Sequence, residues 1–227
     1  MLNQGIARRM TLTAIGVALF PSLVACSTPN KSQTMMQDSS SQTMPHETGA
    51  TAMPMGGMSH GELGPADENF DLLFIDAMIP HHQGAIVMAQ EAMEKSTRPE
   101  IKQLAEAIIS AQEQEIQQLQ TWRSTWYPKA GDEPMMYHAD MNHMMPMTQE
   151  HIDSMMMKMD LGAADNGFDL RFINAMIPHH EGAVVMAQEA LQKSTRPEIK
   201  QLAEAIITAQ QQEIEEMKQW RKDWYNQ

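Results

Sequence analysis

Met78-Ile79-Pro80-His81-His82 returns in the same chain as Met176-Ile177-Pro178-His179-His180. Imidazole nitrogen and thioether sulfur together suit Cu(I) and its mimic Ag(I), and imidazole beside carboxylates also accepts Cu(II). On a helix, residues three and four apart share a face. Met78 then lies one turn from His81 and His82, and Met88 lies two turns beyond His81. The expected patches are Met78, His81, His82 and Met88 in one copy, and Met176, His179, His180 and Met186 in the other. Glu115 and Glu213 fall on apolar stripes of the following helices, where a carboxylate is costly unless partnered. A facing histidine, or a metal bound to it, would supply the partner. The plain alternative is packing, with Met88 and Met186 as flexible core filler and the histidines as donors to the glutamates.

The chain has 24 Met and 9 His in 227 residues, and many lie outside these patches. Met44-Pro45-His46 and Met53-Pro54-Met55-Gly56-Gly57-Met58-Ser59-His60 sit in a polar stretch. Met135 to Met159 holds His138, Met141, His143, Met144 and Met147 as its densest set. Methionines in Pro- and Gly-interrupted segments gain little from packing, so His46, Met55, Met58, His60 and the 135–159 set are expected to bind copper. The rival is a Met-rich adaptable surface for a protein partner.

Composition removes other chemistries. Cys26 is the single cysteine, so there is no disulfide, no later thiolate site and no Cys-x-x-Cys-His haem attachment. Zinc has no use for so much thioether, and the Glu-x-x-His pair of di-iron bundles is missing. With no Gly-x-Ser-x-Gly, phosphate-cradling loop or hydrolase triad, the protein reads as non-enzymatic. A net charge of −13 disfavours nucleic acid and favours cations.

The elements that must position these groups follow from periodicity. Residues 1–25 read as a signal peptide, with Arg8 and Arg9 ahead of an apolar run to Ala25. Leu23-Val24-Ala25-Cys26 matches a lipoprotein cleavage box, so export to the periplasm is expected, either released or lipid-anchored at Cys26. No later segment is expected to span a membrane. Residues 26–66 are too poor in branched aliphatics to order and read as a disordered tail. Phe70–Tyr127 aligns on Phe168–Tyr225 without a gap, with about three-quarters of positions identical. Each copy predicts two amphipathic helices, started by Asp67 or Asp165 and restarted by a Thr-Arg-Pro-Glu capping box. The second stripes run Ile101, Leu104, Ile108, Ala111, Glu115, Leu119, Trp122, Trp126 and Ile199, Leu202, Ile206, Ala209, Glu213, Met217, Trp220, Trp224, with the tryptophans expected in the core. Two hairpins, at 67–127 and 166–227, joined by a Met/His-rich linker at 128–165, give an all-α antiparallel four-helix bundle. No strand is expected.

The run Phe-Ile-Asp-Ala-Met-Ile-Pro-His-His-Gln-Gly-Ala-Ile-Val-Met-Ala at 74–89, followed by a Gln- and Glu-rich helix ending Trp122-Arg123, resembles a bacterial family of ferritin-like four-helix domains of unknown function. The arrangement is similar to the family's duplicated, Met/His-rich periplasmic copper-binding members. The motif match covers 70–127 and 168–225. The resemblance implies copper resistance by binding Cu(I) and Cu(II). It also implies a methionine ligand one turn after the second-helix glutamate, which is Met217 in copy two but Leu119 in copy one. Asp76 likewise becomes Asn174, so the two sites are expected to differ. The expected function is sequestration of copper. The alternatives are a copper-delivery adaptor to an efflux system and a cuprous oxidase.

Overall fold

The computed structural model describes residues 63–157 and 159–227. The leader, Cys26 and the tail to residue 62, with His46, Met55, Met58 and His60, lie outside the described residues. Four long helices dominate: α1 (Phe70–Lys95), α2 (Pro99–Trp126), α4 (Phe168–Lys193) and α5 (Pro197–Tyr225). Between the hairpins lie β1 (Met135–His138), β2 (His143–Pro146) and the short α3 (Gln149–Met156). The long helices form the expected helical bundle, α1 packing on α2, α4 on α5, and α1 on α4.

The helix starts differ in detail from expectation. Asn69 and Gly167 are the N-caps. Asp67 and Asp165 act two residues earlier, where their Oδ1 atoms accept from the Asn69 and Gly167 N–H groups at 2.8 and 2.9 Å. These are Asx-type turns. The second helices are capped at Arg98 and Arg196, because the residue before proline is held extended. Ser96 and Ser194 Oγ accept from their N–H groups, each at 3.1 Å, so serine does the work assigned to the threonine box.

The two copies are related by an approximate two-fold relation that the cross-contacts reveal. Arg98 pairs with Asp169 and Arg196 with Asp71, both at 3.3 Å. Lys95 donates to the Gly162 carbonyl and Lys193 to that of Gly64. Each arginine also covers a tryptophan of the other copy, Arg98 over Trp224 and Arg196 over Trp126. The tryptophans are therefore half-buried end plates, stacked in pairs (Trp122 on Trp126, Trp220 on Trp224), rather than core. These contacts show that the repeat begins earlier than the helical pattern, at Leu63-Gly64 and Leu161-Gly162. Leu63 is buried and its N–H donates to Glu189 at 3.0 Å, so the end of the expected tail is pinned to the bundle.

Such a relation makes α1 and α4 antiparallel and divides the core in two. One cluster joins Ala85 to Ala92 and Ile101 to Ile108 of copy one with Phe168 to Ile177, Ile214 and Met217 of copy two. The other joins Phe70 to Met78 and Leu119 with Ala183 to Ala190 and Ile199 to Ile206. Helix α1 is long and apolar enough to cross a membrane, which corrects the expectation that no segment after the leader is, but 78% of its apolar window is buried in this core. The α2 and α5 stripes are buried as read at Ile101, Leu104, Ile108, Leu119 and at Ile199, Leu202, Ile206, Met217, but at mid-helix they shift by one residue. Ala111 and Ala209 are exposed, while Gln112 and Gln210 are buried.

The linker holds structure that period-two reading misses. β1 and β2 pair antiparallel, with Met135 opposite Pro146 and His138 opposite His143. All of β1 is half-buried, so neither face is cleanly inside and no alternation is written into the sequence. Asn142 adopts a left-handed conformation (φ 51°) in the turn, and its side chain accepts from the Tyr137 hydroxyl at 2.6 Å. Asp76 latches this hairpin to α1. One oxygen accepts from the Met135 N–H at 2.8 Å. The carboxylate also binds Arg123, which donates onward to the Gly131 and Glu133 carbonyls at 2.6 and 2.7 Å. Burial pushes the Asp76 carboxyl above its usual range, against the pull of Arg123 and the Met135 amide. Asn174 touches only Arg221, at 3.2 Å and exposed. Asp76 thus holds the linker that follows α2, whereas Asn174 bonds an exposed arginine.

Asp76→Ala strands a buried arginine contact and an amide, and is expected to cost about 3 kcal/mol with faster proteolysis within 128–148. Asn174→Ala, at an exposed contact, is expected to stay within about 0.5 kcal/mol. Urea unfolding of both variants checks the contrast; equal effects would remove the latch.

Candidate metal centre

Along α1 the histidines fall between Met78, in one core cluster, and Ala85, in the other. His179 and His180 sit at the corresponding change on α4 between Ile177 and Ala183. The four imidazoles thus form a waist between two apolar blocks. All are 0–1% exposed. His81 and His179 face each other across the α1–α4 contact with ring centroids 3.9 Å apart and planes tilted by 50°. Each stands edge-on to its chain neighbour, His82 at 6.5 Å and His180 at 6.3 Å.

The glutamates approach from the outer helices. His180 Nε2 lies 2.7 Å from Glu213 Oε2. His82 Nε2 lies 2.7 Å from Glu115 Oε2, but without the alignment of a proper hydrogen bond. An ionised carboxylate only accepts, so the shared proton belongs on Nε2 and the lone pair on Nδ1. His82 Nδ1 and His180 Nδ1 are buried with no hydrogen-bond partner among the described residues. His179 Nε2 meets the Met156 carbonyl at 3.1 Å, which likewise puts its lone pair on Nδ1. Carboxylate behind imidazole, with the far nitrogen directed elsewhere in a dry interior, is the usual outer-shell support of a metal-bound histidine. Among the described residues no group of three or more His, Cys, Asp or Glu is gathered for a metal, so nitrogen alone does not complete a coordination sphere here.

Thioethers flank the waist, but in a different grouping from the one periodicity suggests. Met78 and Met88 of the same helix lie in opposite clusters. Antiparallel packing instead puts Met88 with Met176 and Met217, and Met78 with Met186 and Leu119. Of the thioethers on the four long helices, one side carries three and the other two and a leucine, and the linker adds Met147 and Met155 to the second side. All five methionines are buried. Gln112 and Gln210, one turn before the glutamates, are polar groups the sequence reading missed. Each has an Oε1 buried without a partner among the described residues. Their signal was a glutamine at a position where the rotated stripe needs an apolar residue.

A groove of about 340 Å³ between α2 and α5 is lined by Glu100, Gln103, Glu213, Glu216 and Trp220 among others. Glu213 is 19% exposed there while touching buried His180. It gives the waist a carboxylate-lined approach from solvent.

The dense linker set is split. His138 and His143 face each other across the hairpin with rings 6.5 Å apart and nearly parallel, and Met141 beside them is 59% exposed. Met144 lines a separate cavity with Leu72 and Trp126. Met147 is buried in the core. The expectation that linker methionines gain nothing from packing therefore fails for Met147 and Met155, which are both buried. Burial also lowers the pKa of His151 below its usual value.

Comparison with known proteins adds to this geometry. A family model described as "Domain of unknown function (DUF305)" matches residues 23–123 and 71–221. The chain is similar to a solved structure of CopM in the Cu(II)-bound form, at 43% identity and TM-score 0.55, covering 68% of this chain and 97% of that one. It is similar to CopM in the Cu(I)-bound form at 38% identity and TM-score 0.54, with the same coverage. A curated relative, uncharacterized protein L153 of Acanthamoeba polyphaga mimivirus, is 47% identical over 49 residues, which span 22% of this chain and 32% of that protein.

Buried and unpartnered, the Gln112 and Gln210 amide oxygens are desolvated without return. Gln112→Leu and Gln210→Leu, near-equal in volume, are each expected to stabilise the metal-free protein by about 1 kcal/mol. Thermal unfolding checks this, and a loss of comparable size would mean the amides are bonded.

Proposed function

We propose that this chain, which belongs to the DUF305 family, is an exported, non-catalytic copper-binding protein that sequesters Cu(I) and Cu(II). The single observation that carries the reading is the waist. Its buried imidazoles are backed by Glu115 and Glu213 on Nε2 and leave Nδ1 of His82 and His180 unpartnered. Five methionines of the long helices lie in the two clusters bordering it, and Met147 and Met155 of the linker join the second. Neutral imidazole and thioether suit a cuprous ion, and imidazole with carboxylate tolerates the cupric state. The similar CopM structures with either ion bound support a copper-binding reading. The acidic surface and the Glu213-lined groove favour cations over anions. Residues 1–25 support export, where a chain lacking cysteine after Cys26 meets oxidising conditions without thiol chemistry.

The chain's own residues divide the task. His82 and His180 would ligate, with the carboxylates fixing their tautomer. Met88, Met176 and Met217 would supply sulfur on one side, and Met78 and Met186 on the other. Met217 against Leu119 makes the first side the stronger cuprous site. Copper held this way exchanges slowly with solvent, because every donor is buried.

Anaerobic Cu(I) titration against a chromophoric chelator tests the assignment. Glu213→Gln is expected to weaken the tightest class by about 10–100-fold as an outer-shell change. Met217→Leu is expected to lower Cu(I) affinity at little cost in stability, under about 1.5 kcal/mol. Unchanged affinity in both variants would reduce the waist to a structural hydrogen-bond network.

A further inference from the structure

The linker side of the bundle contains a cavity that the waist does not use. Its volume is about 90 Å³, and its walls include Met135, Met136, Met147, Met155, His151 and Tyr137, closed below by α1. Protein interiors rarely leave voids larger than a water molecule, and methionine is the side chain that best fills irregular gaps. This cavity is partly open to solvent, and the methionines around it leave a space that their side chains do not fill. His151 and Met155 are four residues apart on α3, the interval that brings side chains onto one helical face, and Met147 directly precedes its N-cap. Thr148 caps α3 by accepting from the His151 N–H at 3.2 Å, and this fixes the start of that face beside Met147. Met136 packs on the same cluster as the buried Met147 and Met155. The His151 ring, half-buried here, makes no hydrogen bond to the described residues.

We propose that α3 and the hairpin, seated on α1, form a second site for one soft monovalent cation, Cu(I) or Ag(I), held by the thioethers of Met136, Met147 and Met155 and the imidazole of His151. Three sulfurs and one nitrogen are a fitting donor set for such an ion and a poor one for Zn²⁺, Mg²⁺ or Ca²⁺. The site differs from the waist in that no carboxylate is among its lining residues to back the imidazole. It also differs in position, on the outer side of α1. The two are nonetheless joined by one residue step, because Met156, next to Met155, offers its carbonyl to His179. The same carbonyl presses on Gly84, where a Cβ would come within 1.7 Å of it. Only the class of ion rests on the copper-binding reading above; the site itself stands on the cavity and its lining.

The test is a titration of the full chain, labelled with ¹³C at the methionine methyl groups, with Ag(I) under non-reducing, chloride-free conditions. Signals are assigned by single Met→Leu substitutions. The methyls of Met136, Met147 and Met155 are expected to shift together and saturate with one equivalent. In His151→Leu, and in the milder His151→Gln, their half-saturation should move at least tenfold higher, while the methyls of Met88, Met176 and Met217 respond as in the parent. If the three linker methyls stay fixed while the core methyls shift, the second site is wrong and the copper-binding reading stands. If no methionine methyl shifts at all, both fall.

Discussion

Four imidazoles in a dry helix crossing set the terms for everything else in this protein. A buried polar ring must be partnered or it destabilises the fold, and an i, i+1 histidine pair cannot point both rings at one neighbour. The solution has two parts. His81 and His179 meet each other across α1 and α4. His82 and His180 turn outward to Glu115 and Glu213 on α2 and α5. That requirement fixes the crossing point of the central helices, the register of each hairpin and the division of the apolar core into two blocks. Each block draws on both copies, so neither copy completes its own core.

The departures from two-fold likeness are functional in character. Copy one is followed by the 128–165 linker, and Asp76 stands where copy two has Asn174, at the point where that linker is latched. Helix α3 then covers α1 at Gly84 and reaches His179. Met217 in one block stands where the other has Leu119. Duplication supplied two near-equal frames, and a handful of substitutions set them apart in what they hold and bury.

Much of this was legible in the sequence, because helical periodicity and the repeated Pro-His-His motif are strong local signals. The stripe from Phe70 through Ala92 is buried as read, and the pairing of the stripe glutamates with the histidines follows from the cost of burying a carboxylate. What was not legible is what depends on the partner helix. Grouping Met78 with Met88 assumed that a shared face means a shared neighbourhood. The antiparallel α1–α4 contact sends them to opposite blocks, and periodicity of one helix carries no information about that. Gln112 was hidden by a one-residue rotation of its stripe, and Ala111 took its place. The hairpin at 135–146 was missed because strands half-buried on both faces show no alternation. Leu63 and Gly162 were missed as anchor points because Glu189, which accepts from the Leu63 N–H, and Lys95, which donates to the Gly162 carbonyl, lie far away in sequence and in the other copy.

The most direct measurement is anomalous scattering at the copper edge from crystals of the copper-loaded full chain. The account predicts a peak inside the waist, beside the Nδ1 atoms of His82 or His180. A well-ordered bundle with copper peaks only at the linker or surface, and none between the two apolar blocks, would contradict it.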